Sequence, residues 1–110
     1  MTDKIVVLCT CSSSDEARRI AGELIARRLA ACVNLLPPVR SVYHWKGAVE
    51  ESEEILMIIK SARPLFEQLR AAIARLHSYE VPEIVALPIV DGSASYLAWI
   101  DSELIPPVQE

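Results

Sequence analysis

Three cysteines are the first residues of this 110-residue chain that could bind a metal or carry out redox chemistry: Cys9, Cys11 and Cys32. Their number is odd, and the Cys-x-Cys spacing of the first two is not the Cys-x-x-Cys spacing of zinc sites and dithiol redox sites. The start of the chain predicts no secretory leader, because the apolar run 5–8 is too short for the core of one. We therefore expect reduced thiols in a cytoplasmic protein.

A run of carboxylates is the second candidate for binding chemistry. Its members are Glu50, Glu51, Glu53 and Glu54. Successive side chains of a strand point to opposite faces, so in an extended segment these carboxylates do not converge on one ion. The simplest interpretation is a solvated or salt-bridged strand edge. In an oligomer the same residues could pair with Arg18, Arg19 or Arg40 of a neighbouring copy, or collect divalent ions by clustering.

Composition and motifs exclude several classes of function. The formal net charge is −4 and the isoelectric point is about 5.2, whereas a domain that binds nucleic acid needs a basic face. The chain has no apolar run long enough to cross a membrane. Three glycines leave little material for a phosphate-binding loop, and no nucleophile motif occurs. We therefore expect neither nucleic acid nor membrane as a partner, and no catalytic residue.

The elements that position these side chains follow from the hydrophobic pattern. The β-branched apolar run 4–11 predicts a buried strand. Ser13 and Glu16 have the spacing of a capping box, which predicts the beginning of a helix. The apolar stripe that follows has helical period, and we expect this helix to end near residue 30 or 31.

A long hairpin over residues 32–61 is predicted next. Pro37 and Pro38 cannot donate ladder hydrogen bonds, so the hairpin is interrupted there, and Lys46-Gly47 forms its turn. The remaining predicted elements are a helix with an apolar stripe over 65–76, a strand over 83–90 and a short terminal helix over 96–104.

This order of elements predicts one α+β domain over residues 1–110. It is a ferredoxin-like βαββαβ sandwich with an extra C-terminal helix and a long central hairpin. Two helices on one side of the sheet leave the other side uncovered. A long exposed hairpin readily pairs with another chain, so we expect self-association by strand pairing.

Five sequence blocks stand in order along nearly the whole chain. They are Leu29-Ala-Ala-Cys-Val-Asn34, Ser41-Val-Tyr-His-Trp-Lys-Gly47, Glu53-Glu-Ile-Leu-Met-Ile-Ile-Lys60, His77-Ser-Tyr-Glu-Val-Pro-Glu-Ile84 and Tyr96-Leu-Ala-Trp-Ile100. In this order and at these spacings they resemble the CutA family of divalent-cation tolerance proteins. The family usually has a proline where Ser78 stands, so we expect a looser turn before Tyr79.

The resemblance implies a tight cytoplasmic homotrimer whose hairpins pair between subunits. It implies no enzymatic activity, weak binding of copper or another divalent cation, and a part in the response to metal ions. The same architecture is similar to the PII signalling trimers, which bind a small effector in a cleft between subunits. A trimer that docks a partner without any ligand is a third interpretation.

Within the resemblance, Cys9, His77 and Glu83 are the metal candidates. A thiolate suits Cu(I), an imidazole suits Cu(II) or zinc, and a carboxylate can complete the set of ligands. The structural alternative is a thiol that packs as a small apolar group, a solvated loop histidine and a glutamate bonded to the loop backbone.

Aromatic residues of the same blocks indicate two further surfaces. Tyr43 and Trp45 are the predicted trimer interface, because buried aromatic side chains contribute most to the stability of interfaces. An inter-subunit cleft is the other surface, with Lys60 as the positive charge that would suit an anionic effector. The other cleft residues are Tyr79, Glu83 and Trp99.

Overall fold

The computed structural model describes residues 2–106. Their strands and helices follow the order β1 (Lys4–Cys11), α1 (Ser14–Ala26), β2 (Cys32–Leu35), β3 (Val39–Trp45), β4 (Ala48–Ala62), α2 (Phe66–Leu76), β5 (Val85–Pro88) and α3 (Ala94–Glu103). This order confirms the predicted ferredoxin-like fold with its extra helix and long hairpin. The predicted domain also includes residue 1 and residues 107–110, which lie outside the described residues. Within 2–106 no helix has the length and apolar character needed to span a membrane.

The sheet is antiparallel, and β4 is its longest strand. The second half of β4 lies between β1 and β2, and β5 pairs with the other edge of β1. The first half of β4 pairs with β3 alone among the described strands, from Val39 opposite Glu54 to Trp45 opposite Ala48. This part of the hairpin extends beyond the sheet as a two-stranded ribbon, and the molecule is 44 Å long in its longest dimension.

Backbone conformation explains where the hairpin turns and where it breaks. Lys46 and Gly47 have positive φ angles of 48° and 85°, as a two-residue turn with the twist of the flanking strands requires. Between β2 and β3, Pro37 and Pro38 supply no N–H to the ladder. Both features are where the sequence predicts them.

The sheet has one covered and one open face. Alternate residues of β1 and β4 point to the covered face, where α1 and α2 pack on them. The helix residues of this core are Ala17, Ile20, Leu24, Leu69, Ala72 and Ile73. We define the open face by the apolar residues that point the other way: Val6, Leu8, Leu56, Ile58, Val85 and Leu87. Val85 and Leu87 are 47% and 50% exposed, so no residue within 2–106 covers this part of the face.

Helix α1 ends at Ala26, four residues or more before the predicted end. Arg28 has a φ of 58°, and the N–H of Leu29 donates to the carbonyl of Leu24 at 2.9 Å. This is a Schellman ending, in which a left-handed residue stops the helix. The prediction was wrong because glycine usually marks such an ending, and here an arginine takes its place.

Strand β5 is also shorter than predicted, because it covers Val85–Pro88 and not the whole of 83–90. Pairing with β1 runs from Val85 opposite Leu8 to Pro88 opposite Ile5. Pro88 has no N–H to donate to the ladder, and the N–H of Ile89 beyond it donates to the carbonyl of Lys4 at 3.0 Å.

Helix α3 closes one end of the sheet over a second small core, which consists of Ala62, Leu65, Ile100 and Leu104. The guanidinium of Arg28 donates to the carbonyls of Ser102 and Glu103 at the end of this helix, at 2.8 and 3.2 Å. The buried Lys4 ammonium lies 2.8 Å from Asp101 Oδ1 and also contacts Asp3. Although burial acts to lower it, these two carboxylates raise the pKa of Lys4.

Candidate metal centre and ligand cavity

Two thiols and an imidazole converge in the core below the end of α2. Cys9 and Cys11 are two residues apart on β1, so both point to the covered face, and both are fully buried. His77 follows the last residue of α2 and turns its buried ring toward them. The three side chains each offer one donor atom, and these atoms lie within 4.8 Å of one another.

We call Cys9, Cys11 and His77 the thiol cluster, and a third sulfur adjoins it. Cys11 Sγ lies 3.4 Å from Met57 Sδ and 3.8 Å from His77 Nε2. Glu83, which the sequence grouped with Cys9 and His77, is exposed and lies outside the cluster. Cys11 takes its place, because the alternation of β1 brings it beside Cys9.

The ring of His77 is held by a hydrogen bond at each nitrogen. Nδ1 accepts from the backbone N–H of Tyr79 at 3.0 Å, so the proton of a neutral ring is on Nε2. Nε2 donates that proton to the carbonyl of Thr10 at 2.7 Å. A metal that binds Nε2 must therefore displace the Thr10 carbonyl, and the ring proton must move to Nδ1, which then no longer accepts the N–H of Tyr79.

The Cys9 thiol holds its proton more tightly than a free thiol does. The hydrogen bond with Cys11, together with burial, raises the pKa of the Cys9 thiol well above its usual range. A metal must therefore displace a proton from Cys9 as well. The donor set nevertheless fits a soft ion, because thiolates and thioethers prefer Cu(I).

The loop that carries His77 is anchored from α1. The carboxylate of Glu16, which is only 5% exposed, accepts the backbone N–H of Ser78 at 2.6 Å and the hydroxyl of Ser12 at 3.2 Å. Although burial acts to raise it, the hydrogen bonds with Ser78 lower the pKa of Glu16. These hydrogen bonds hold the turn before Tyr79, at which the sequence predicts a looser turn because Ser78 replaces a proline. The capping-box spacing located the helix start, where Ser13 accepts the N–H of Glu16, but it gave no sign of this long-range contact.

A cavity of about 620 Å³ lies between the ribbon and the loop 77–83. We call it the ligand cavity. Its aromatic walls are Tyr43, Trp45 and Tyr79, and its carboxylates are Glu54, Glu80 and Glu83. The hydroxyl of Tyr79 donates to Glu54 Oε2 at 2.5 Å. Burial and the neighbouring Glu54 raise the pKa of Tyr79, which keeps the phenol protonated.

The four residues predicted to form an inter-subunit cleft do not come together within one chain. Tyr79 and Glu83 line the ligand cavity. Lys60 lies on the open side of β4, where its ammonium binds Asn34 Oδ1. Trp99 lies on α3 and stacks on Tyr96 with ring centroids 5.6 Å apart. Lys60, whose positive charge favoured an anionic effector, is therefore not among the residues that line this cavity. The cationic residue of the lining is Lys46.

The acidic run is divided between the two faces of the ribbon. Arg40 lies 3.4 Å from Glu51 Oε1 and 3.6 Å from Glu53 Oε2, as expected for a salt-bridged edge. Glu54 faces the opposite way and is only 7% exposed. The predicted interface residues Tyr43 and Trp45 are 42% and 40% exposed and lie on the cavity side.

Comparisons with known proteins agree with this fold over most of the chain. Residues 5–103 match the family model described as CutA1 divalent ion tolerance protein. The divalent-cation tolerance protein CutA of Thermus thermophilus is 47% identical over 95 residues, which are 86% of this chain and 92% of that protein. The one from Pectobacterium atrosepticum is 39% identical and covers 94% of both chains. A solved structure of the Thermus thermophilus protein superposes with a TM-score of 0.90 at 44% identity, over 92% of this chain and 98% of that one. The chain therefore belongs to the CutA1 divalent ion tolerance family.

Proposed function

We propose that this protein contributes to divalent-cation tolerance, without enzymatic activity, by binding copper weakly at the thiol cluster. The observation that carries the proposal is the convergence of donor atoms from Cys9, Cys11 and His77 within 4.8 Å, with the sulfur of Met57 alongside. Sulfur-rich sites of this kind prefer Cu(I) to hard divalent ions. The names of the Thermus thermophilus and Pectobacterium atrosepticum relatives support the link to cation tolerance.

Weak binding follows from what the metal must displace. The Cys9 thiol holds its proton strongly, and His77 Nε2 donates a hydrogen bond to the Thr10 carbonyl that the metal must break. All three donors are buried, so entry of the ion requires the loop after α2 to open. Each of these costs is subtracted from the free energy of copper binding, and each proton released makes binding depend on pH.

Assembly into a homotrimer is the second part of the proposal. The open face presents apolar side chains from three neighbouring strands to solvent, including Val85 and Leu87. The first half of β4 has one strand partner among the described residues, so the ribbon offers unpaired backbone groups along both edges. Exposed strand edges beside an apolar face favour pairing with a further copy of the chain.

Copper binding is tested by anaerobic titration of Cu(I) against a chromophoric chelator that competes for the ion. Wild type should take up one ion per chain, and Cys9→Ala/Cys11→Ala should lose this binding. Cys32→Ala is the matched control, since this third thiol lies on β2 and outside the cluster. Equal uptake by wild type and the double variant would exclude the cluster as the copper site. Circular dichroism would verify that the variants keep their fold.

An effector-binding trimer similar to the PII proteins is the second candidate function. The observation that favours it is the ligand cavity, whose volume of about 620 Å³ is in the range of small-molecule sites. Saturable binding of a small molecule that contacts Tyr79 or Trp45, with copper absent, would support this candidate.

A further inference from the structure

We infer that the thiols of Cys9 and Cys11 reduce Cu(II) to Cu(I) and close a disulfide with each other. This inference deepens the copper function proposed above and rests on it. The proposed tolerance concerns divalent cations, whereas the sulfur donors of the thiol cluster prefer the monovalent Cu(I). Reduction of the arriving ion connects the two.

The two thiols are placed for a reaction with each other. Cys9 and Cys11 are both buried on the covered face of β1, and their sulfur atoms lie within 4.8 Å of each other. Two residues along a strand separate their Cα atoms by about 6.4–6.8 Å. A disulfide bridges Cα atoms about 4.4–6.8 Å apart, so this pair lies at the upper end of the range. The bond forms when the strand contracts slightly, and the strain leaves it easy to reduce again.

The end of β1 is the part of the strand that can contract most readily. Cys11 is the last residue of this strand. Among the described strands, β5 pairs with β1 only from Ile5 to Leu8, so the segment 9–11 has β4 as its one neighbour. A bend in this segment disturbs one ladder of hydrogen bonds, whereas a bend further back would disturb two.

The donors beside the thiols suit the ion before and after reduction. Imidazole is a good ligand for Cu(II), and Nε2 of His77 lies 3.8 Å from Cys11 Sγ. A thioether prefers Cu(I), and Met57 Sδ lies 3.4 Å from the same sulfur. The ion enters by the opening of the loop after α2 that copper binding also requires. On the imidazole it is then next to the thiols that supply the electrons.

The reaction balances with two copper ions and two electrons per chain. The first Cu(II) takes one electron from a thiolate, and the thiyl sulfur so formed bonds to the neighbouring thiolate. The second Cu(II) takes the remaining electron from this sulfur pair, which gives in total two Cu(I) ions, one disulfide and two protons. The oxidised cluster has lost both thiolates and releases the copper. The reaction is stoichiometric, and the chain can react again only after a thiol reductant has exchanged with the disulfide.

The test measures the Cu(I) that is formed. Cys32→Ala serves as the parent chain, because Cys9 and Cys11 are then its only thiols. The parent is freed of reductant under nitrogen and mixed with excess cupric sulfate and the Cu(I) chelator bathocuproine disulfonate. We expect two Cu(I) per chain. Mass spectrometry of the tryptic peptide 5–18, which contains both cysteines, should show the loss of two hydrogen atoms and no thiol left to alkylate.

Variants connect the electrons to this pair. In the parent, Cys11→Ala and the isosteric Cys11→Ser should yield at most one Cu(I) per chain, because a lone thiyl sulfur has no neighbour to bond with. His77→Gln has an amide that can donate to the Thr10 carbonyl and accept from the Tyr79 N–H, but it lacks the imidazole. We expect it to lower the rate about tenfold and to leave the final yield unchanged. Circular dichroism verifies that each variant is folded.

Each contrary result has a defined meaning. If no Cu(I) forms while the reduced parent still binds Cu(I), the buried thiols are inert to Cu(II); the copper function then stands and the reduction is wrong. If the parent neither reduces Cu(II) nor binds Cu(I), both fail. If Cu(I) forms while peptide 5–18 keeps two free thiols, or if the variants of Cys11 reach two Cu(I) per chain, the electrons come from elsewhere and the inference is overturned.

Discussion

Replacing Ser78 by proline, the residue usual in the family, should destabilise this particular chain. The backbone N–H of Ser78 donates to the buried carboxylate of Glu16 at 2.6 Å, and proline has no N–H. His77 has φ −80° and ψ 143°, a conformation compatible with a following proline. The substitution therefore removes one hydrogen bond without forcing His77 into a new conformation.

The expected magnitude is the difference of two opposing effects. A hydrogen bond to a charged group contributes about 1.5–3 kcal/mol to the free energy of unfolding. Proline restricts the unfolded chain and returns about 0.4–1 kcal/mol. We therefore expect Ser78→Pro to lower the free energy of unfolding by about 1–2 kcal/mol at neutral pH.

Urea unfolding at pH 7 and one fixed chain concentration measures this difference. Ser78→Ala is the matched control, because it keeps the N–H and should stay within about 0.5 kcal/mol of wild type. In a Glu16→Gln background the cost of Ser78→Pro should fall to about half, since a neutral acceptor binds the N–H less strongly. If Ser78→Pro were as stable as wild type, or its cost were the same in both backgrounds, the anchoring role of Glu16 would be refuted.

The same pair predicts a pH dependence. Because the pKa of Glu16 is lowered in the folded state, its contribution is fully present above the unfolded pKa of about 4.3 and is lost as the pH falls through the folded value. The stability difference between wild type and Ser78→Pro should thus be largest near pH 7 and shrink below about pH 4. A difference that grows on acidification would contradict this sign.

Three further predictions concern the helix end, assembly and copper. Arg28→Ala should cost more stability in urea than Arg28→Gly, by about 1 kcal/mol, because both lose the bonds to α3 but only glycine relieves the positive φ. Leu87→Lys should give monomers by light scattering with unchanged circular dichroism, and a stable trimer in this variant would exclude the open face as the interface. Trp45→Ala should weaken assembly on dilution more than it weakens folding. Apparent Cu(I) affinity should rise by about tenfold or more per pH unit between about pH 6 and 8, since protons leave on binding, and a flat profile would exclude the thiol cluster.

Local signals predicted the elements whose ends depend on a few neighbouring residues. The helix cap at Ser13 and the hairpin turn at Lys46-Gly47 are of this kind, because the residue that fixes the backbone is part of the segment itself. The sequence did not predict the end of α1, because Arg28 and not a glycine adopts positive φ there. Burial of Leu29 in the core supports this conformation. That support comes from tertiary packing, which no local pattern reports.

The candidate sites divide in the same way. The sequence could have predicted Cys11 as a member of the thiol cluster, because a residue two positions from Cys9 on a buried strand points to the same face. Glu16 and Ser78 are 62 residues apart and share no local pattern. Lys60 and Trp99 were grouped with Tyr79 through the resemblance alone, and their separation depends on which face of the sheet and which helix each occupies.

The imidazole of His77 is a donor of the thiol cluster and is hydrogen-bonded to two residues of the wall of the ligand cavity. Its Nδ1 accepts from Tyr79 and its Nε2 donates to Thr10, and both of these residues line the ligand cavity. A metal on Nε2 would release the Thr10 carbonyl and so change that wall. Binding at the two sites would then be thermodynamically linked. If copper lowers the affinity for a cavity ligand that favours the present wall, that ligand must lower the affinity for copper by the same factor.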